Sequence, residues 1–121
     1  MSLPIAVLVV EDEPLIRMNI ADSLLGEGFL VFEAANADEA IAILEANATI
    51  DVMFTDIDMP GSMDGLKLSA AVRNRWPPIK IVATSGHRVV AAADLPEGSA
   101  FIGKPYNHAA VATCLRQLLS L

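Results

Sequence analysis

Basic side chains are scarce in this sequence: 8 Lys and Arg stand against 15 Asp and Glu, leaving a formal charge of −7 at pH 7. Nucleic-acid backbones and anionic membranes attract basic patches, so this balance argues against direct binding of either. Cysteine is nearly absent. Cys114 stands alone, which excludes an internal disulfide and makes a reducing cytoplasm the expected compartment. No apolar run approaches the ~20 residues of a membrane span, and no basic segment precedes an apolar one at the N-terminus, so neither a transmembrane helix nor a signal peptide is expected. Linkers, low-complexity tracts and internal repeats are also missing. What is plentiful is apolar residues, at 54% of the 121, enough to exclude a disordered acidic tail and to close one real core.

Five short apolar segments recur, each except the last preceding a helix-like stretch that leads to the next: Ile5–Val10, Leu30–Ala34, Asp51–Thr55, Ile79–Ala83 and Ala100–Gly103. Continuous runs such as IAVLVV suit strands buried on both faces. The first helix is announced by Pro14 just inside its start; Ile16, Ile20 and Leu24 share one face, and Gly26 stops it. The second starts at Asn36, with Glu39 in capping-box register, and Ala40, Ile43 and Leu44 on its apolar face. The third runs from near Asp64 to before Trp76-Pro77-Pro78. A fourth, His87 to Asp94, is short or partly irregular, because Leu95-Pro96-Glu97-Gly98 cuts it off. The last spans about Asn107 to Ser120, with Val111, Leu115 and Leu118 inward. Alternating strand and helix predicts an α/β fold: one parallel sheet with helices on both faces. Right-handed crossovers then bring every strand's carboxyl end to one edge.

Beyond the first strand stand Glu11, Asp12 and Glu13; beyond the third, Asp56, Ile57 and Asp58. Thr84 and Ser85 follow the fourth, and Lys104-Pro105 the fifth. Ligands of open parallel sheets bind at that edge, where the strand order reverses. Carboxylates gathered there repel: a like-charge pair at 4 Å costs about 4 kcal/mol at an effective dielectric near 20. Such a cluster calls for a cation, or for one member to take up a proton. An all-oxygen open site favours Mg²⁺. Metal, lysine and hydroxyl together suit an incoming phosphoryl group, with a carboxylate as nucleophile.

Taken in order, VLVVEDEPLIR, FTDIDMPGSMDG, IVATSG and FIGKPY resemble the receiver domain of two-component response regulators over essentially the whole chain. The resemblance implies a single flavodoxin-like domain over residues 1–121, strand order 2-1-3-4-5, with no output domain in this chain. It implies that Asp56 accepts phosphate from a sensor histidine kinase or phosphotransfer protein. Mg²⁺ would be held by Asp12, Asp56 and the Asp58 main-chain carbonyl, with Glu11 acting through water. Thr84 and Lys104 would bind the phosphoryl group, Thr84 and Phe101 would form the switch, and Pro105 would follow a cis peptide. The output would be partner binding, to an effector protein or a second copy, rather than turnover. Three positions depart from the commonest pattern: Glu11 where Asp is usual, a loop at Pro60–Gly65 longer by one residue, and Ser85 in place of a small apolar residue.

Other readings compete. Asp56-Ile57-Asp58 with Thr84 and Lys104 also looks like the set of haloacid-dehalogenase-type phosphatases, in which the second aspartate is the acid/base. There, however, the paired acids follow the first strand, and further acids follow the lysine. A receiver-like fold that only binds partners is the third reading. For single residues the plainer roles are a solvated loop acid for Asp58, a helix cap for Asp64, core for Phe101, turns for Gly61 and Gly65, surface for His87 and His108, and a packed thiol for Cys114.

Overall fold

A computed structural model describes residues 4–47, 49–61, 63–86 and 94–120. The strands are β1 Ala6–Val10, β2 Leu30–Ala34, β3 Val52–Asp56, β4 Lys80–Ser85 and β5 Ala100–Gly103; the helices are α1 Pro14–Gly26, α2 Ala37–Ala46, α3 Gly65–Arg75 and α4 His108–Leu119. All neighbouring strands pair in parallel, in the order β2-β1-β3-β4-β5. The chain reverses direction across the sheet between β1 and β3, so the predicted switch point lies where the acids do. The predicted helix at His87 to Asp94 falls almost wholly outside the described residues.

Side chains alternate across the sheet with the two-residue period of a strand. Val7 and Val9 of β1 join Ile20 and Leu24 of α1 and Val111 and Leu115 of α4 on one face. Leu8 and Val10 turn the other way, toward Ala40 and Leu44 of α2 and Leu68 and Val72 of α3. Both faces are thus covered, which is why β1 reads as an unbroken apolar run.

Caps set the helix starts. Asn36 accepts from the Glu39 amide at 2.9 Å, Asp64 from the Lys67 amide at 3.0 Å and Asn107 from the Ala110 amide at 3.1 Å. The return arm of the α2 box runs from the Ala35 amide to Glu39, at 2.8 Å, rather than to the cap residue itself. Gly26 is the last helical residue of α1; the turn that ends the helix needs Gly28, at φ 96°.

Two strands end later than their apolar runs suggest. β3 includes Asp56, and β4 continues through Thr84 and Ser85, so these polar residues are strand members whose ladder pairs Asp56 with Thr84. Asp51 lies just before β3 and accepts the Ala6 amide at 2.9 Å. Gly65 is no turn glycine. It opens α3, where a Cβ would sit 2.2 Å from the Asp56 carbonyl oxygen and 2.7 Å from Ile57 Cα. Only glycine lets α3 approach the end of β3 so closely.

Candidate functional site

The carboxyl edge forms a cleft of about 320 Å³ lined by Glu11, Asp12, Glu13, Ile16, Asp56, Asp58 and Lys104. Each acid is delivered by a strand end. Glu11 follows β1 and its amide makes one more rung, to the Ala34 carbonyl, at 3.0 Å. Asp56 ends β3, and its Oδ1 accepts the Asp58 amide at 3.1 Å. Oxygen atoms of Glu11, Asp12 and Asp56 lie within 4.8 Å of one another. Lys104 Nζ donates to Glu11 Oε1 and Asp56 Oδ2, both at 3.2 Å, and the Lys104–Pro105 peptide is cis.

The three clustered acids face one ammonium among the described residues, which leaves the cluster short of positive charge. Burial is the main cause that lifts Glu11 from its usual range to about 7; the Asp56 charge adds to it, while the Glu13 amide and Lys104 oppose it. Burial alone would lower the Lys104 pKa, but Asp56 and Glu11 outweigh it and hold the ammonium above its usual range. A hard cation is the other remedy for such a cluster, and the donor set here, carboxylate oxygens opening onto a cleft, suits Mg²⁺.

Thr84 supplies a second test of fit. Its side chain is 1% exposed and its Oγ1 has no hydrogen-bond partner among the described residues. Buried hydroxyls are nearly always paired, so a lone one beside the acids suits an oxygen-rich guest.

Asp58 departs from a solvated loop acid: its Oδ2 accepts a hydrogen bond from Ser85 Oγ, tying the β3–α3 loop to the end of β4. Phe101 is 37% exposed on β5, so it is not core. His108 is half-buried, with Nδ1 3.1 Å from Ser23 Oγ, rather than a free surface histidine; His87 lies outside the described residues. Cys114 packs beside the Val111–Leu115 cluster, and burial pushes its thiol up. Sequence reasoning passed over Arg17, whose Nη1 donates to the Glu11 carbonyl at 2.9 Å. Its only signal was a basic residue one turn inside a helix that follows an acidic strand end.

Among known proteins, the family model for the response regulator receiver domain matches residues 7–116. The chain is 36% identical over 117 residues to a sensor kinase, CckA, of Brucella abortus, covering 93% of this chain and 12% of that one. It spans between 12% and 23% of the length of the first curated relatives it matches. A response regulator receiver protein from Sinorhizobium medicae superposes with a TM-score of 0.89 at 30% identity, covering 97% of this chain and 95% of that one. The response regulator TrrA of Thermotoga maritima, solved in complex with Mg(2+)-BeF, gives 0.81 at 28% identity, covering 94% and 98%. Neither the phosphatase nor the non-phosphorylated binding module is favoured by these likenesses. Among the described residues, no helix is long and apolar enough to cross a membrane. With its five-stranded sheet, its acid cluster and a family match over nearly its whole length, the chain belongs to the response-regulator receiver domains, the phospho-accepting signalling domains of two-component systems.

Proposed function

We propose that Asp56 is the phospho-acceptor, and that the donor is a phosphohistidine on a sensor kinase or phosphotransfer protein. The carrying observation is the buried Thr84 hydroxyl, which has no hydrogen-bond partner among the described residues and which the β3–β4 ladder sets beside Asp56. In the transfer, an Asp56 carboxylate oxygen bonds to phosphorus as the bond from phosphorus to the donor's imidazole nitrogen breaks, and the imidazole leaves to be protonated by solvent. Thr84 then donates to a phosphoryl oxygen. Lys104, already on Asp56 and Glu11, shifts its ammonium toward the new negative charge.

Asp12, Asp56 and the Asp58 main-chain carbonyl would hold Mg²⁺, with Glu11 reaching it through water. When bound, the ion supplies neutralisation of the charge that develops on the phosphoryl oxygens. The bound Mg(2+)-BeF of the Thermotoga relative supports this choice of cation. Glu13 and Ile16 rim the cleft at the start of α1, beside Leu15 and Met18, which are 74% and 52% exposed. That apolar rim supports docking of the donor over this end of the sheet.

The output is a change of surface rather than turnover. A phosphoryl group brings about −2 charge next to Thr84. As Thr84 is drawn toward it, the end of β4 moves. Phe101, paired in register with Ala83 and exposed on β5, reports that movement to an effector or a second copy.

The test is incubation with acetyl phosphate and Mg²⁺, followed by intact-protein mass measurement. One base-labile phosphate is expected, lost in Asp56→Asn and absent in EDTA. Continuous hydrolysis of a phosphate ester that depends on Asp58 would overturn the reading in favour of a phosphatase.

A further inference from the structure

The acids of the cleft are placed by their backbone, and one of those backbone positions is held from outside the cleft. Glu11 is the hinge between β1 and the loop to α1: its amide closes the last rung to β2, and its side chain is 4% exposed. Its carbonyl lies beyond the β1 ladder. Arg17, one turn inside α1, reaches back and donates Nη1 to that carbonyl at 2.9 Å. The same guanidinium places Nε 3.3 Å from Glu33 Oε1 on β2, and the arginine side chain is itself only 18% exposed. Glu33 stands opposite Val9 in the β1–β2 register. One planar fork therefore joins α1, the end of β1 and the α1-facing side of β2.

We infer that Arg17 is a positioning residue for the divalent-cation site, setting Glu11 and hence Asp12 through the Glu11 carbonyl. This inference rests on the Mg²⁺ reading of the acid cluster. Glu11 Oε2 already accepts the Glu13 amide at 3.1 Å and Oε1 accepts Lys104, so its carboxylate is tied down on its own side of the chain. The remaining freedom is rotation of the peptide that joins Glu11 to Asp12. Rotating that peptide swings the Asp12 carboxylate relative to Asp56, and the Arg17 bond opposes the rotation. A lysine cannot replace it fully: an ammonium on a flexible stem lacks the rigid fork that serves the carbonyl and Glu33 together.

Calorimetric titration with Mg²⁺ at neutral pH tests this. Arg17→Met is expected to weaken Mg²⁺ binding about tenfold, and Arg17→Lys about threefold, a partial rescue by retained charge. Arg116→Met is the control. It removes a comparable tether, from Arg116 to the Glu27 side chain at 3.0 Å, far along α4 from the cleft. It should lower the melting temperature in EDTA as Arg17→Met does, while leaving Mg²⁺ affinity within twofold of wild type. Should Arg17→Met fold poorly, Arg17→Lys carries the test. Arg17 variants that bind Mg²⁺ like wild type, or that lose no more affinity than Arg116→Met, overturn the inference and leave the site itself standing. A wild type that takes up no Mg²⁺ overturns both.

Discussion

Replacing the proposed acceptor with its uncharged isostere is expected to stabilise the metal-free protein. Oxygens of Glu11, Asp12 and Asp56 lie within 4.8 Å of one another, and each like-charge pair at that separation costs roughly 3.5 kcal/mol at an effective dielectric near 20. Lys104 lies 3.2 Å from Asp56, an attraction of roughly 5 kcal/mol on the same scale. Asp56→Asn deletes two repulsions and one attraction, and Lys104 keeps Glu11 at 3.2 Å. The asparagine Oδ1 can still accept the Asp58 amide, but its Nδ2 takes the place of the Oδ2 that accepts from Lys104, so that one hydrogen bond is lost. The balance favours the variant by about 2 kcal/mol with Glu11 fully ionised and by about 1 kcal/mol at pH 8, where roughly a tenth of Glu11 is still protonated.

For a chain of this length that corresponds to a melting temperature about 3–6 °C above wild type in EDTA. Millimolar Mg²⁺ should raise the wild type, since a ligand of the native state adds stability by mass action, and should raise Asp56→Asn much less. The order of the two proteins then narrows or inverts. Lys104→Met provides the opposite sign: it leaves three buried or half-buried acids without their ammonium and should lower the metal-free melting temperature. Scanning calorimetry of the three proteins, with EDTA and with Mg²⁺, reads all of this. An Asp56→Asn protein that melts below wild type in EDTA would refute the repelling pocket.

Glu11 gives a pH dependence. Its ordinary value of 4.5 is raised to about 7 in the fold, so between those values the native state binds the extra proton; metal-free stability declines as pH rises through that window, by at most ~3 kcal/mol, and urea unfolding in EDTA should show a flat profile for Glu11→Gln. The same proton competes with the cation, so Mg²⁺ affinity should fall as pH drops below about 7. Thr84→Val removes a buried hydroxyl that has no partner among the described residues; metal-free stability should rise by about 1 kcal/mol while the phosphorylated protein loses its altered partner affinity, measured by titration with and without acetyl phosphate. Gly65→Ala places a methyl 2.2 Å from the Asp56 carbonyl oxygen, so α3 or the end of β3 must shift by about an ångström; a loss of about 2–3 kcal/mol with weakened Mg²⁺ binding is expected from urea unfolding and calorimetry.

The layout of the site was legible because it depends on topology, and topology follows from patterning. A strand covered on both faces must be apolar throughout, so the first polar residue after such a run marks its end. In β1 that reading places Glu11 correctly, and parallel crossovers then bring Asp56, Thr84 and Lys104 to the same edge. The rule misjudges β3 and β4 by one or two residues because Asp56, Thr84 and Ser85 are polar members of the ladder itself.

What stayed hidden depends on how side chains from different elements meet. The Asp58–Ser85 hydrogen bond joins residues 27 apart, and its polar partners sit where the pattern shows only a loop acid and an unusual serine. Arg17 reads as an ordinary helix cation, because nothing local to α1 reveals a carbonyl 2.9 Å away at the end of β1 or a carboxylate on β2. The two ties nonetheless follow one logic. Strand ends that carry mutually repelling acids cannot be held by those acids, since each would relax away from the others. They must be held by neighbours acting on the chain on either side: Arg17 at the end of β1, and the Gly65 amide, 3.0 Å from the Ile57 carbonyl, at the end of β3. A pocket of repelling acids needs a rigid frame, and on the proposed reading that frame is made by residues other than those that would hold the cation.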